Sequence, residues 1–168
     1  MPTNPVVLFA GRFVAYKNLQ RVIKAHKNVG VGRLVLIGSG PEKDKLVKDG
    51  VTVLDSLPQV ELFEEIKKSA ICIGPALSEF NPNFILEALS FGKPVLLSKG
   101  HGLSVDLPEE FLFNPEDQEE LEEKMRAMLK PENYARAVSI VNNLPLDISW
   151  DDVTTAHLVI IRRCLQMD

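Results

Sequence analysis

An α/β fold, a parallel sheet with helices on both faces, is the class this sequence predicts. Three observations carry it. Short apolar runs without polar alternation recur along the chain, as strands buried on both faces require. Segments with helical spacing lie between them, which is the alternation of βαβ units. The length suits one such domain. The chain has 168 residues, 45% of them apolar and 25% charged. Those values are ordinary for a folded globular chain and unlike those of a disordered one.

The first strand is Val6-Val7-Leu8-Phe9, ending at Ala10-Gly11. A helix follows from near Asn18, with Leu19, Val22, Ile23 and His26 on one face. Leu34 to Ile37 reads as the second strand. It runs into Gly38-Ser39-Gly40-Pro41, with Pro41 expected at the first position of a helix. Val51 to Leu54 is a third strand. A helix after Val60 aligns Leu62, Ile66 and Ser69. Ala70 to Ile73 is a fourth strand, in which Cys72 is expected to be buried and reduced. A helix spans Pro82 to Phe91, with Asn81 as its expected N-cap and Pro82 at its first position. Pro94 to Leu97 is a fifth strand.

The last third is helical in pattern. Glu116 to Leu129 turns Leu121, Met125, Met128 and Leu129 to one side. Its acidic start and its Lys124, Arg126 and Lys130 end suit the helix dipole. Pro131 and Pro145 read as breaks. Ser149-Trp150-Asp151-Asp152 opens a final helix, with Val153, Ala156, Val159 and Ile160 expected to face inward. These patterns leave the strand order open.

Charge and cysteine usage narrow the function classes. Nineteen Lys and Arg against 23 Asp and Glu give a net charge of −4. That balance argues against a broad nucleic-acid surface and leaves room for a local anion site. Cys72 and Cys164 form neither a disulfide framework nor a metal-ligand spacing. No apolar stretch approaches the ~20 residues of a membrane span, and no signal-peptide pattern opens the chain. A cytoplasmic single domain over residues 1–168 is the expectation.

Ligands of open α/β sheets bind beyond the carboxyl ends of the strands, so the loops there come first. Gly11-Arg12 and Lys17-Asn18 put two cations beside a helix start, a pattern for an anion such as phosphate; two solvated surface charges are the alternative. Gly38-Ser39-Gly40 begins like a dinucleotide fingerprint, but Lys43 stands where a third glycine is needed, so it reads as a turn. The segment from Pro75 to Leu89 is richest. The amides of Asn83, Phe84 and Ile85 at its helix start form a second anion cradle. Glu79 lies in the loop before that helix. Glu87, one turn after Asn83, sits among apolar neighbours and needs a partner. A salt bridge to Lys93 and a pair of ligand hydroxyls, as on ribose, are the two options. His101, between Gly100 and Gly102, is more often structural than ligand-binding in such a setting. No Ser/His/Asp order, zinc spacing or carboxylate dyad stands out.

These residues together resemble the carboxyl-terminal, donor-binding domain of retaining glycosyltransferases of the GT-B fold, a three-layer Rossmann-like domain. Gly11-Arg12 with Lys17 is similar to the family's Gly-Arg-x4-Lys segment, and Gly38-Ser39-Gly40-Pro41 to its Gly-x-Gly-Pro turn. Glu79, seven residues, then Glu87-Ala88-Leu89 and Gly92-Lys93-Pro94 resemble its most characteristic motif. Ser149-Trp150 resembles its closing segment.

The resemblance implies that Gly11, Arg12 and Lys17 meet the diphosphate of a UDP- or GDP-sugar. It implies that Glu79 contacts the transferred sugar as the catalytic carboxylate. Asn81, Pro82, Asn83 and Phe84 would face diphosphate and sugar, Glu87 the ribose, and Leu57 the base. No metal and no other cofactor is implied, because cations and a helix start can stabilise the leaving diphosphate. Departures occur at Phe80-Asn81, where the family often has Gly-Phe, at Asp55, at His101 and at Val105. The family's enzymes carry the acceptor site on an amino-terminal domain absent from this sequence, and membrane contact would come only through the full-length enzyme. An apolar patch at Leu158, Val159 or Ile161 is expected where that domain would meet this one. A non-catalytic nucleotide- or partner-binding module of the same fold is the alternative. A receiver-like domain would need an acidic cluster after the first strand, which this sequence lacks.

Overall fold

The computed structural model describes residues 2–48, 51–103 and 105–146 and the helical positions 154, 155, 158, 159 and 162. Residues 2–146 hold six described strands and six described α-helices, with strands and helices alternating through the first five strands. The strands are β1 Val6–Ala10, β2 Arg33–Ile37, β3 Thr52–Leu54, β4 Ile71–Gly74, β5 Val95–Ser98 and β6 Leu112–Phe113. The helices are α1 Leu19–Val29, α2 Lys43–Lys48, α3 Gln59–Lys68, α4 Asn83–Ser90, α5 Gln118–Met128 and α6 Pro131–Val141. The five expected strands are present within one or two residues. The two-residue β6 is too short to leave an apolar signature of its own.

Three local expectations are corrected. Helix α2 begins at Lys43 rather than Pro41, because Gly40 and Glu42 close turns first, accepting from the amides of Lys43 and Lys45. Pro131 starts α6 instead of breaking the chain; at the first helical position its missing N–H costs nothing. Helix α5 opens one residue past Asp117, whose carboxylate accepts from the Glu120 amide at 3.0 Å. The inward set Leu121, Met125, Met128 and Leu129 is buried as expected.

All strand pairs are parallel, in the order β3-β2-β1-β4-β5-β6. The chain winds out from β1 to one edge and then returns to lay β4 on the free side of β1, pairing Val7 with Ile71 and Leu8 with Cys72. Right-handed crossovers running in opposite directions put α1 and α2 on one face and α3 and α4 on the other. In agreement, α5 packs on α1 and α3 on α4. Val7, Leu8, Ile71, Cys72, Ile73, Val95 and Leu96 are fully buried in the middle of the sheet, which explains why those strands lack polar alternation.

Cys72 is buried, with its Sγ 3.4 Å from Ser69 Oγ. Burial pushes its thiol pKa up to about 12, the Ser69 hydrogen bond opposing only in part. In a Cys164→Ser background, Cys72 should resist a thiol reagent at pH 8 while the chain is folded and react fully in denaturant. Rapid labelling of the folded chain would contradict this packing.

The start of the expected final helix, with Val153, Ala156 and Ile160, lies outside the described residues, as do Ile161 and Cys164. Of its described positions, Leu158 and Val159 are exposed. The inward orientation expected of Val159 is not found, since that side chain is not among those packed on the core. Among the described residues, no helix is long and apolar enough to cross a membrane.

Candidate functional site

The sheet reverses its winding between β1 and β4, and the loops leaving these two neighbours diverge there. Such a switch point opens a crevice at the carboxyl edge of the sheet. A cleft of about 370 Å³ occupies it, lined by Gly11, Arg12, Tyr16 and Lys17 from the β1 side and by Glu79 to Ile85 from the β4 side. A second cleft of about 250 Å³ adjoins it, lined by Ser39, Ser56, Leu57 and Leu62 and sharing Ala10, Gly11 and Arg12 with the first. The two form one groove across β1, with the Arg12 segment at its centre.

A single 3-10 turn, Ala15–Lys17, sets the two cations. It lets Tyr16 reach back four residues, so that Arg12 Nη2 donates to Tyr16 Oη at 3.0 Å. The same ring lies 5.4 Å from Lys17 Nζ, within cation–π range. The Leu77 amide donates to the Tyr16 carbonyl at 2.8 Å and ties the two loops together. Lys17 forms an ion pair with Glu79 across the main cleft, both side chains mostly shielded from water. The two sequence motifs, 62 residues apart, thus meet directly. Lys17 is thus a paired, shielded cation and not a solvated surface charge, while Arg12 stays exposed beside it.

The start of α4 differs from expectation. Asn81 is not the N-cap. It takes the left-handed conformation (φ 50°), which Asn tolerates better than most residues. Pro82, with φ −66° and an extended ψ of 102°, is the N-cap. The Pro82 carbonyl accepts from the amides of Ile85 and Leu86, so the Ile85 amide is not free as expected. The amides of Asn83 and Phe84 have no acceptor among the described residues. They give the cleft two donors at the positive end of the helix dipole. The Phe84 ring packs edge-on against Phe9, with centroids 6.2 Å apart, and fixes the helix start over the end of β1.

Glu87 stands one turn along α4 and outside the lining of both clefts. The salt bridge to Lys93 is not formed. Lys93 Nζ donates instead to the Lys67 and Ser69 carbonyls, the latter at 3.1 Å. Glu87 accepts from Gln59 Nε2 at 3.4 Å, which places it beside the start of α3. Leu57 itself lines the second cleft. Asp55 pairs with Lys43, and Val105 is buried. His101 Nδ1 accepts from the Leu103 amide at 2.9 Å and does not line the main cleft. That hydrogen bond closes its own loop.

Sequence reasoning missed three residues here. Tyr16 carried one usable signal, its spacing of four from Arg12. Phe80 was noted only as a departure from the Gly-Phe pattern, yet it lines the main cleft. Gln59 contacts Glu87 from 28 residues away and left no local trace.

The fold and cleft define a Rossmann-like α/β domain with an anion-receptive crevice at its switch point. The chain belongs to the glycosyl transferases group 1 family, whose model matches residues 4–131. It is 30% identical over 142 residues to the sulfoquinovosyl transferase SQD2 of Arabidopsis thaliana, a match covering 76% of this chain and 27% of that protein. It is 25% identical over 100 residues to the putative teichuronic acid biosynthesis glycosyltransferase TuaC of Bacillus subtilis, covering 59% of this chain and 26% of the relative. The chain therefore spans about a quarter of the length of these curated relatives.

Among solved structures, the catalytic domain of the Helicobacter pylori cholesterol-alpha-glucosyltransferase superposes with a TM-score of 0.71 at 24% identity, covering 84% of this chain and 99% of that one. The catalytic domain of Arabidopsis thaliana starch synthase IV gives 0.76 at 20% identity, covering 97% and 39%. The GT-B type of α/β domain expected from the sequence is thereby established.

Proposed function

We propose that this chain is the donor-binding domain of a retaining glycosyltransferase and holds a nucleoside-diphosphate hexose in the groove across β1. One observation carries the reading: Arg12, Lys17, Glu79 and the unpaired amides of Asn83 and Phe84 converge on one cleft at the switch point. Two cations and two amides suit a diphosphate, whose negative charge grows as the sugar departs. Gly11 lets the backbone approach it closely. Glu79, on the far side of Lys17, is the catalytic carboxylate and contacts the transferred sugar. Asn81 and Pro82 shape the turn that aims the two amides.

Leu57 lies against the base, and Glu87 accepts from the ribose hydroxyls in place of Gln59. UDP and GDP are the favoured nucleotides. The acceptor enters from a second domain that completes the cleft, in a cytoplasmic enzyme whose membrane contact comes through the rest of its length.

Titration calorimetry with UDP, GDP, ADP and inorganic pyrophosphate tests the reading. One nucleoside diphosphate should bind, more tightly than pyrophosphate. Glu87→Ala should weaken the nucleotide about tenfold, the effect of one charged hydrogen-bonding group, and leave pyrophosphate unchanged. Absence of binding by every nucleotide, or an equal loss for pyrophosphate, would overturn the assignment.

A further inference from the structure

Phe80 is the most exposed large apolar side chain among the described residues, at 87%. It stands at the mouth of the main cleft and is one of its lining residues. Its backbone is anchored on both sides. The Phe80 amide donates to Glu79 Oε1 at 3.3 Å, and Asn81 next to it holds a left-handed turn. Gly102 lies against one edge of the ring: a Cβ there would come within 3.2 Å of Phe80 Cδ2. At 87% exposure most of the side chain is in contact with solvent. An aromatic ring kept in water beside a polar cleft is a contact surface for the molecule that fills the cleft.

The order of groups along the groove says which part of that molecule it meets. Leu57 and Ser39 line the second cleft, Arg12 lies in both, and Lys17 pairs with Glu79 in the first, where Phe80 follows Glu79. With the diphosphate at the cations, a step that rests on the function proposed above, the group beyond it is the sugar. A pyranose has a hydroxyl edge and an apolar face of C–H bonds. Glu79 suits the edge and Phe80 suits the face. We infer that Phe80 stacks on the C–H face of the transferred sugar.

The test compares each nucleotide with its sugar conjugate on the 168-residue chain: UDP with UDP-glucose, GDP with GDP-mannose, and ADP with ADP-glucose, by calorimetry. The wild type should bind one conjugate more tightly than its bare nucleotide. Phe80→Ala should weaken the conjugate about three- to tenfold and leave the nucleotide unchanged, the scale of one aromatic contact. Phe80→Tyr should keep the preference. Phe80→Leu, similar in volume without the flat face, should lose most of it. Equal weakening of nucleotide and conjugate, or no change in either, would overturn the inference while the donor-binding reading stands. A wild type that binds no nucleotide overturns both.

Discussion

Replacing Arg12 and Lys17 together by alanine should lower the affinity for a nucleoside diphosphate at least about 100-fold, since each charged hydrogen bond is worth roughly 1.5–3 kcal/mol. The informative contrast is with Glu79. Its carboxylate holds Lys17 in the cleft, with both side chains mostly shielded from water. A diphosphate reaching Lys17 competes with that carboxylate and is repelled by it. Glu79→Gln should therefore tighten UDP or GDP several-fold while Lys17→Ala weakens it. The Glu79 change removes a competitor and leaves a half-buried cation to be neutralised. Both effects should shrink as salt is raised, because screening acts on charges at a cleft mouth. Calorimetry at two ionic strengths reads this directly. If Glu79→Gln weakens the nucleotide as much as Lys17→Ala does, the pair is a structural brace and Lys17 is not a phosphate ligand.

Gly38→Ala should destabilise the fold by about 2–5 kcal/mol, combining backbone strain with a steric clash. Gly38 follows β2 with φ 149°, and a Cβ there would lie 1.9 Å from the Gly11 carbonyl oxygen. That contact is backbone on backbone, so no rotamer change relieves it. The strand edges are locked on both sides: Gly11 N donates to Ile37 O and Gly38 N to Leu54 O, each at 3.0 Å. Relief would displace the Gly11-Arg12 segment, so nucleotide affinity should fall along with stability. Gly30→Ala is the control. Gly30 also has a positive φ, 67°, but a Cβ there would meet nothing within 4 Å, so only strain of about 1 kcal/mol is expected. Denaturant unfolding followed by circular dichroism separates the two. Equal small losses would mean that the β2 loop does not press on the β1 loop.

Much of this architecture was legible in the residues alone. Five strands announced themselves as short Val-, Ile- and Leu-rich runs, because a strand covered on both faces has no position left for a polar side chain. The cations at Arg12 and Lys17 and a helix start next to Pro82 were legible as chemistry at strand ends, whereas the Glu79–Glu87 spacing was legible only through the family resemblance. Errors fell where local rules compete. Asn81 and Pro82 both suit a helix start, and Asn81 instead takes a left-handed turn that leaves Pro82 as the cap. Pro131 can end one helix or begin the next, and only the packing of α6 on α5 selects between them.

The sequence by itself determined the class of fold, the elements that carry the site, and the residue types able to hold an anion. Those follow from periodicity and from what each side chain can do, which are local properties. The tertiary structure alone decided that β4 lies beside β1. From that one adjacency come the switch point, the meeting of Lys17 with Glu79 and the cleft that Phe80 lines, while the pairing of β4 with β5 brings Lys93 to the Lys67 and Ser69 carbonyls. None has a local signature, because each depends on how segments tens of residues apart are brought to the same edge of the sheet.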